Sequence, residues 1–357
     1  MTPKMLRTRR TVPPMPHLQS ARMNRRKVLR VLGLGGGAVV LGGLAGCGDD
    51  GGEGAPAGGE GGPLYQGEAA VTHLEANISA TPFLVAQGLG IYGDHGLELE
   101  LVSFPGGADA VRGVASIGFG MPATLATLTA YQKGQDDLRL IAGCDNRARA
   151  VFLVPAASEI RTIEDLEGKR LAVSQPGSIT TYFANRIARQ VGLTPGENVE
   201  ILNVGGAPDA WTAVTQGIAD VAWGFPPSSE ILIKDGAARI LFDSADYVTK
   251  WTDTSHWATE SLIDESPDVL QAFLRAQQDA INAIKNDLDT AAPAYAERIK
   301  IPLEVARSTL VLAGEGLGLE IDRDAIQAVI SAGVELGQVE EGLDLDAVIV
   351  ATFVENL

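Results

Sequence analysis

Cysteine is all but missing from this chain: two stand among 357 residues, Cys47 and Cys144. No disulfide framework can therefore organise the fold. Metal-binding spacings are missing as well. There is no C-x-x-C, no H-E-x-x-H and no acidic calcium loop, so no metal site is expected. Aromatic residues make up 5% of the sequence and histidines number four. No internal repeat of about 20–50 residues is evident. Basic charge is scarce outside one end. Residues 1–46 hold nine of the 28 Lys and Arg and none of the 45 Asp and Glu. The rest of the chain carries 19 basic against 45 acidic residues, a net charge of −26. Nucleic-acid binding needs a basic footprint that this balance excludes. The acidic excess favours solubility and names no ligand.

What the N-terminus does have is the order of an export signal. Asn24–Arg30 (NRRKVLR) resembles the twin-arginine export motif, although a general secretory signal can carry the same pair. Val31–Ala45 is apolar and Gly-rich. It falls short of the about 20 residues that a membrane span needs and reads as a signal h-region. Leu44-Ala45-Gly46-Cys47 resembles the lipobox of bacterial lipoproteins, which implies cleavage before Cys47 and lipidation of that residue. Residues 1–46 are thus expected to be a signal peptide. Residues 47–67, Gly-rich with Asp49, Asp50, Glu53 and Glu60, are expected to be a flexible tether that cannot bury a core. The protein should be exported and lipid-anchored at the outer face of the cytoplasmic membrane or in the periplasm. Cys144, after the apolar run Leu140–Gly143, reads as a buried structural thiol.

The stretch Thr162–Leu193 organises the remainder. Arg170–Ser174 has the pattern of a short buried strand. Gln175-Pro176-Gly177-Ser178 is turn chemistry. Ile179, Phe183, Ile187 and Val191 then recur every four residues, as on one face of a helix. A strand–loop–helix of this kind gathers backbone N–H groups and the hydroxyls of Ser178, Thr180 and Thr181 at a helix N-terminus, which attracts anions. An ordinary capped βα turn would have the same features.

DLEGKRLAVSQPGS (165–178) followed by that helix resembles the start of the second domain in periplasmic solute-binding proteins. The nearest family is the sulfonate/nitrate/taurine and thiamine-pyrimidine-precursor (NMT1/THI5-like) binding proteins of ABC importers. TPFLVAQGLGIYGDHGLELELVSFPGGADAVRGVA (81–115) and FGMPATL (119–125) resemble its opening half, with a shorter turn at Ala115-Ser116 than the family's Gly-x-x-Asp. Ala219–Trp223 resembles its Gly-x-x-Asp-Ala element.

The chain itself alternates strand and helix. Strand patterns fall at Ala69–Leu74, Leu97–Leu101, Ile117–Met121, Leu138–Ala142, Val151–Val154, Val199–Val204, Ala219–Trp223 and Ala238–Phe242. Pro82 is placed at the first position of a helix. From Ser266 on, the pattern is helical, with Leu270, Phe273, Leu274, Gln277, Ile281 and Ile284 on one face. Leu343–Leu357 is ambiguous between helix and strand. This alternation is the α/β class, with mainly parallel sheets flanked by helices. The resemblance implies a two-domain periplasmic-binding-protein type II fold with hinge crossings. Residues 68–155 and 256–357 are assigned to domain 1, and 156–255 to domain 2 with the hinge return. His256–Glu260 is assigned to a crossing segment.

In open α/β sheets a ligand lies off the C-terminal ends of the strands. The loops there supply the candidate ligand-binding residues Asn77, Ser79, Thr81, Thr124, Gly177, Ser178, Thr180, Thr181, Trp223 and Trp257. Most of these have a plain structural alternative. Asn77 and Ser79 can be loop and cap residues, Thr124 a solvent hydroxyl, Trp223 a core residue, Trp257 a cover for the hinge and His256 a surface residue. Arg147 and Arg149 could pair with an anionic ligand or with nearby Asp145. The resemblance implies a solute-binding component that captures a small polar or anionic organic molecule and delivers it to a membrane permease. It implies no catalysis and no cofactor, and a monomer is expected. Two other readings stand beside it. One is an enzyme on the same fold, like the pyrimidine synthases of thiamine biosynthesis, which use a histidine and a lysine-bound cofactor. The other is an adhesive or scaffold lipoprotein.

Overall fold

The computed structural model describes residues 62–357. The expected signal peptide, the expected lipobox with Cys47 and most of the expected tether lie outside the described residues. The tether is expected to reach residue 67, yet Tyr65 already pairs with Leu97 as the first residue of strand β1 (Tyr65–Thr72).

Four strands come first: β1, β2 (Leu97–Phe104), β3 (Phe119–Met121) and β4 (Leu138–Asp145). Five follow: β5 (Val151–Pro155), β6 (Arg170–Val173), β7 (Glu200–Asn203), β8 (Val221–Gly224) and β9 (Ala238–Asp243). The last is β10 (Thr254–Thr259). They form two five-stranded sheets, ordered β2-β1-β3-β10-β4 and β7-β6-β8-β5-β9. Each sheet has a parallel core, β2-β1-β3 and β7-β6-β8. Each also has one reversed strand, β10 between β3 and β4 and β5 between β8 and β9. Both sheets are thus mainly parallel and flanked by helices, and both place their fourth-position strand from beyond a crossing.

Two assignments change. Val151–Val154 belongs to the second sheet, so the first crossing is 146–150 and lies ahead of that strand. His256–Thr259 is a buried strand in the middle of the first sheet, and the second crossing is the segment before it, 244–253. The polar composition of β10 (TSHWAT) conceals this. Its six residues are all buried, yet only Trp257 and Ala258 are apolar.

Local chemistry explains most elements. Leu97, Leu99 and Leu101 alternate with Glu98 and Glu100 on β2, an edge strand whose outward charges discourage pairing with another chain. Gly120 on β3 is a close-approach residue, because a Cβ there would stand 2.0 Å from the Ala70 carbonyl oxygen. Pro82 is the second residue of the Thr81–Leu89 helix, where its missing N–H has no partner to lose. The helix Pro267–Asn286 buries Leu270, Phe273, Leu274, Gln277, Ile281 and Ile284, the whole expected face. Phe273 meets Phe119 edge-on at 5.0 Å and Phe83 at 5.7 Å, so this helix closes the core of the first sheet. Gln277 is tolerated there because it donates to Tyr92 Oη at 2.7 Å. Leu345–Val348 and Thr352–Glu355 resolve the ambiguous C-terminus as two short helices. Among the described residues no helix is long and apolar enough to cross a membrane.

Candidate functional site

Chain connectivity fixes where the two sheets meet. β4 ends at Asp145, and after the five residues 146–150 β5 begins at Val151 opposite Gly224, the end of β8. β9 ends at Asp243, and β10 begins at Thr254 opposite Asp145. Both crossings therefore join the C-terminal edge of one sheet to the C-terminal edge of the other. The first is too short to let those edges separate far, since a chain extends at most about 3.6 Å per residue.

On the second sheet, the β6 loop builds a cluster of four hydroxyls. Gly177 has φ +73°, which lets the chain turn into the Ile179–Gln190 helix. Ser178 is the helix N-cap and accepts from the Thr181 N–H at 3.3 Å. Ser174 Oγ hydrogen-bonds Ser178 Oγ at 2.8 Å and Thr180 Oγ1 at 2.7 Å. Thr180 Oγ1 also accepts from the Ser174 N–H at 3.0 Å. Thr181 Oγ1 donates to the Gln175 carbonyl at 2.7 Å and lies 3.2 Å from Asn203 Oδ1. Thr180 is buried, whereas Ser174, Ser178 and Thr181 are half-buried beside the exposed Gln175 and Pro176. The structure thus brings together Gly177, Ser178, Thr180 and Thr181, and adds Ser174. From the other side, Gln338 Nε2 donates to the Gly177 carbonyl. Gln338 follows the Arg323–Glu335 helix, which packs on the Thr124–Gln132 helix of the first sheet. Trp223, at the end of β8, donates Nε1 to the Gly205 carbonyl at 3.2 Å and meets Phe225 edge-on at 5.3 Å. It is 9% exposed.

On the first sheet the named side chains face inward. Asn77 Oδ1 accepts from the Ser79 N–H at 3.0 Å, a cap for the short turn Ile78–Ala80. Ser79 Oγ donates to Asp145 Oδ2 at 2.7 Å, and Thr81 Oγ1 to the Ile78 carbonyl at 2.8 Å. Thr124 Oγ1 hydrogen-bonds Ser255 Oγ at 2.9 Å, and Trp257 Nε1 donates to the same oxygen at 2.8 Å. Ser79, Thr81, Thr124, Ser255 and Trp257 are all fully buried.

The two arginines of the first crossing are held by protein groups. Arg149 is buried and donates Nε to Asp145 Oδ2 at 2.7 Å. Its Nη1 and Nη2 reach the Leu312 and Ala313 carbonyls, the open end of the helix Leu303–Gly314. Arg147 bridges Asp243 at 2.9 Å and Glu315. Asp145 keeps one oxygen, Oδ1, without a hydrogen-bond partner. Nearby, burial and the Asp145 charge push the Asp253 carboxyl up to about 7. His256 is neither a surface group nor a ligand-facing one. It packs against Phe83 and Phe273, its ring nitrogens unpartnered, and burial drives it down to about 3. Cys144 is buried, with Sγ 3.5 Å from the Ser79 carbonyl, and burial raises its thiol well above the ordinary range. Among the described residues no group of His, Cys, Asp and Glu is placed to hold a metal.

Sequence reasoning missed Ser174, Ser255 and Gln338. Ser174 and Ser255 carry a signal, a hydroxyl at a strand end beside hydroxyl residues already named. Gln338 carries none, because its partner is distant in sequence.

A family model described as NMT1/THI5 like matches residues 77–291, more than half of the chain. A curated relative, 4-amino-5-hydroxymethyl-2-methylpyrimidine phosphate synthase of Legionella pneumophila, is 22% identical over 204 residues. That match spans 56% of this chain and 63% of the relative, less than two thirds of its length. Among solved structures, the alkanesulfonate-binding protein SsuA from Xanthomonas axonopodis pv. citri superposes with a TM-score of 0.66 and 20% identity, over 82% of this chain and 99% of its own. The periplasmic nitrate-binding protein NrtA from Synechocystis superposes with a TM-score of 0.65 and 12% identity, over 83% and 89%. At these identities the superpositions establish a shared fold.

Proposed function

Because the chain belongs to the NMT1/THI5-like family, we propose that it is the extracytoplasmic solute-binding component of an ABC importer. It captures a small polar or anionic organic molecule between its two sheets and passes it to a membrane permease, without chemistry on the molecule. Cys47 carries the lipid that holds it at the membrane, and the protein works as a monomer. The two sheets belong to two lobes that close on the ligand, a hinge motion. The observation that carries this reading is the pair of crossings joining the two C-terminal edges. Strand-end loops of both sheets are thereby held opposite one another, where open α/β sheets bind ligands. The half-buried hydroxyls of Ser178 and Thr181, with the Gly177 backbone, are the ligand's polar anchor on the second lobe, and Trp223 is an apolar wall. Asn77, Ser79, Thr81, Thr124, Thr180 and Trp257 support the first and second walls from behind. Alkanesulfonates, nitrate and pyrimidine-type molecules are the chemistry that the relatives are named for, and taurine is itself a sulfonate.

A second reading rests on the relative named as a synthase. An enzyme of that kind would consume its ligand. On the loops at the strand ends the single lysine among the described residues is Lys250, and it pairs with Asp322 at 3.1 Å.

The test is a thermal-shift screen of the purified full-length chain against sulfonates, nitrate, taurine and pyrimidines. A ligand of the folded state at 100 times its Kd stabilises by ~2.7 kcal/mol. Mass spectrometry then asks whether the ligand is released unchanged. A screen without any shift contradicts solute binding, and a chemically altered product favours the enzyme.

A further inference from the structure

One recess of the molecule lies along the second crossing. It has a volume of about 290 Å³ and opens between the Ile179–Gln190 helix, the second crossing and the Arg323–Glu335 helix. That is near the lower end of small-molecule pockets, which begin at roughly 300 Å³. Its wall is aromatic. The Tyr182 and Trp251 rings lie nearly parallel, 22° apart with centroids 6.0 Å from each other, and both are buried. Its rim is cationic and polar. The Arg186 guanidinium stands over the Tyr182 ring at 6.0 Å and donates Nη1 to the phenol oxygen at 3.3 Å. Lys250 and Ser331 are exposed at the same opening.

The charges around it are not balanced. Asp322 is answered by Lys250, and Glu335 by Arg189 at 3.0 Å. Arg186 pairs with no carboxylate among the described residues. The Arg186 guanidinium, without a carboxylate partner, stands exposed beside an aromatic wall of Tyr182 and Trp251. The guanidinium takes an oxyanion through charge-assisted hydrogen bonds, and the rings take a flat apolar body.

We propose that this recess binds a small organic anion carrying a planar ring, one helical turn along the Ile179–Gln190 helix from the Ser178 cluster and independent of it. An occupant touches the second-sheet helix, the crossing and the first-sheet helix together.

The probe is benzenesulfonate, titrated calorimetrically into the full-length chain, with methanesulfonate and benzyl alcohol for the charge and the ring alone. Benzenesulfonate binds more tightly than either fragment. Arg186→Gln removes a charged hydrogen-bond donor and weakens it about tenfold or more. Ser331→Glu places a negative charge at the rim and does the same. Both positions are exposed, so melting temperatures stay at the wild-type value. The proposal is overturned if benzenesulfonate fails to bind up to millimolar concentration, if Arg186→Gln and Ser331→Glu bind it like wild type, or if Ser178→Ala alone abolishes it. That last outcome would put the aromatic anion at the strand-end loops and leave solute capture standing.

Discussion

The two sheets end in hydroxyl-bearing loops of similar composition and opposite disposition. On the first sheet, Ser79, Thr81 and Thr124 are fully buried, each bonded to another protein group. On the second, Ser174, Ser178 and Thr181 bond mainly to one another and remain half-buried next to an exposed Gln175-Pro176. The same residue types thus serve cohesion on one side and are within reach of a ligand on the other. What separates them is the neighbour. Within the first set Ser79 bonds Asp145, half of a buried ion pair with Arg149 whose charges, removed from water, must be matched, while Thr81 and Thr124 bond neutral groups of the same buried edge. The second set lies at a helix start with no charged group among its bonds.

The contrast is most exposed to attack at that ion pair. Arg149→Ala leaves Asp145 buried without its cation and removes the donors to Leu312 and Ala313. A loss of about 3–5 kcal/mol is expected for breaking a buried pair, read as a shift in urea midpoint. A variant as stable as wild type would show that the first edge is not held by charge. Acid provides the next test. His256 sits at about 3 in the folded protein, against about 6.5 when exposed. The unfolded chain therefore takes up the proton first. The stability tied to the neutral ring is complete above about 6.5 and is lost as pH falls towards 3. His256→Phe removes this contribution, so its stability should decline less than that of wild type between those values. Superimposable acid profiles would refute the assignment.

On the second sheet the effects are smaller for the fold and larger for the ligand. Ser178→Ala deletes the N-cap and should cost about 1 kcal/mol of stability. It should also weaken a charged ligand by about tenfold or more in Kd. Calorimetry and denaturation of the same variant separate the two, and unchanged affinity would move the ligand elsewhere. The smallest effect belongs to Arg147, a partly exposed bridge between Asp243 and Glu315. Arg147→Gln should change stability by no more than about 1 kcal/mol. A greater loss would mean that the first crossing is held as tightly as the first edge.

Sequence reasoning reached the elements whose signals are local. The strand–loop–helix at Arg170–Gln190 follows from a short apolar run, a Pro-Gly turn and a four-residue repeat. The buried face of Pro267–Asn286 follows from its periodicity. It missed what depends on distant residues. β10 looks like a polar connection because His256 becomes a core residue only when Phe83 and Phe273 enclose it. Val151–Val154 has the pattern of a strand in either sheet, and only its pairing with β8 and β9 decides. Gln338 reaches Gly177 from far along the chain. For the hydroxyls, residue type announces a polar contact without saying whether its partner is protein or solute.

The reversed strands carry a consequence for biogenesis. In the second sheet β5 is made first and gains its two partners when β8 and β9 follow. The first sheet has a gap between β3 and β4 that only β10 fills, and Thr254 emerges from the ribosome long after Asp145. Until then both flanking strands present unpaired backbone, the kind of edge that recruits foreign chains. A chain interrupted anywhere between those two residues leaves an intact-looking first half that is adhesive by construction. Quality control of this protein therefore has one interval to guard.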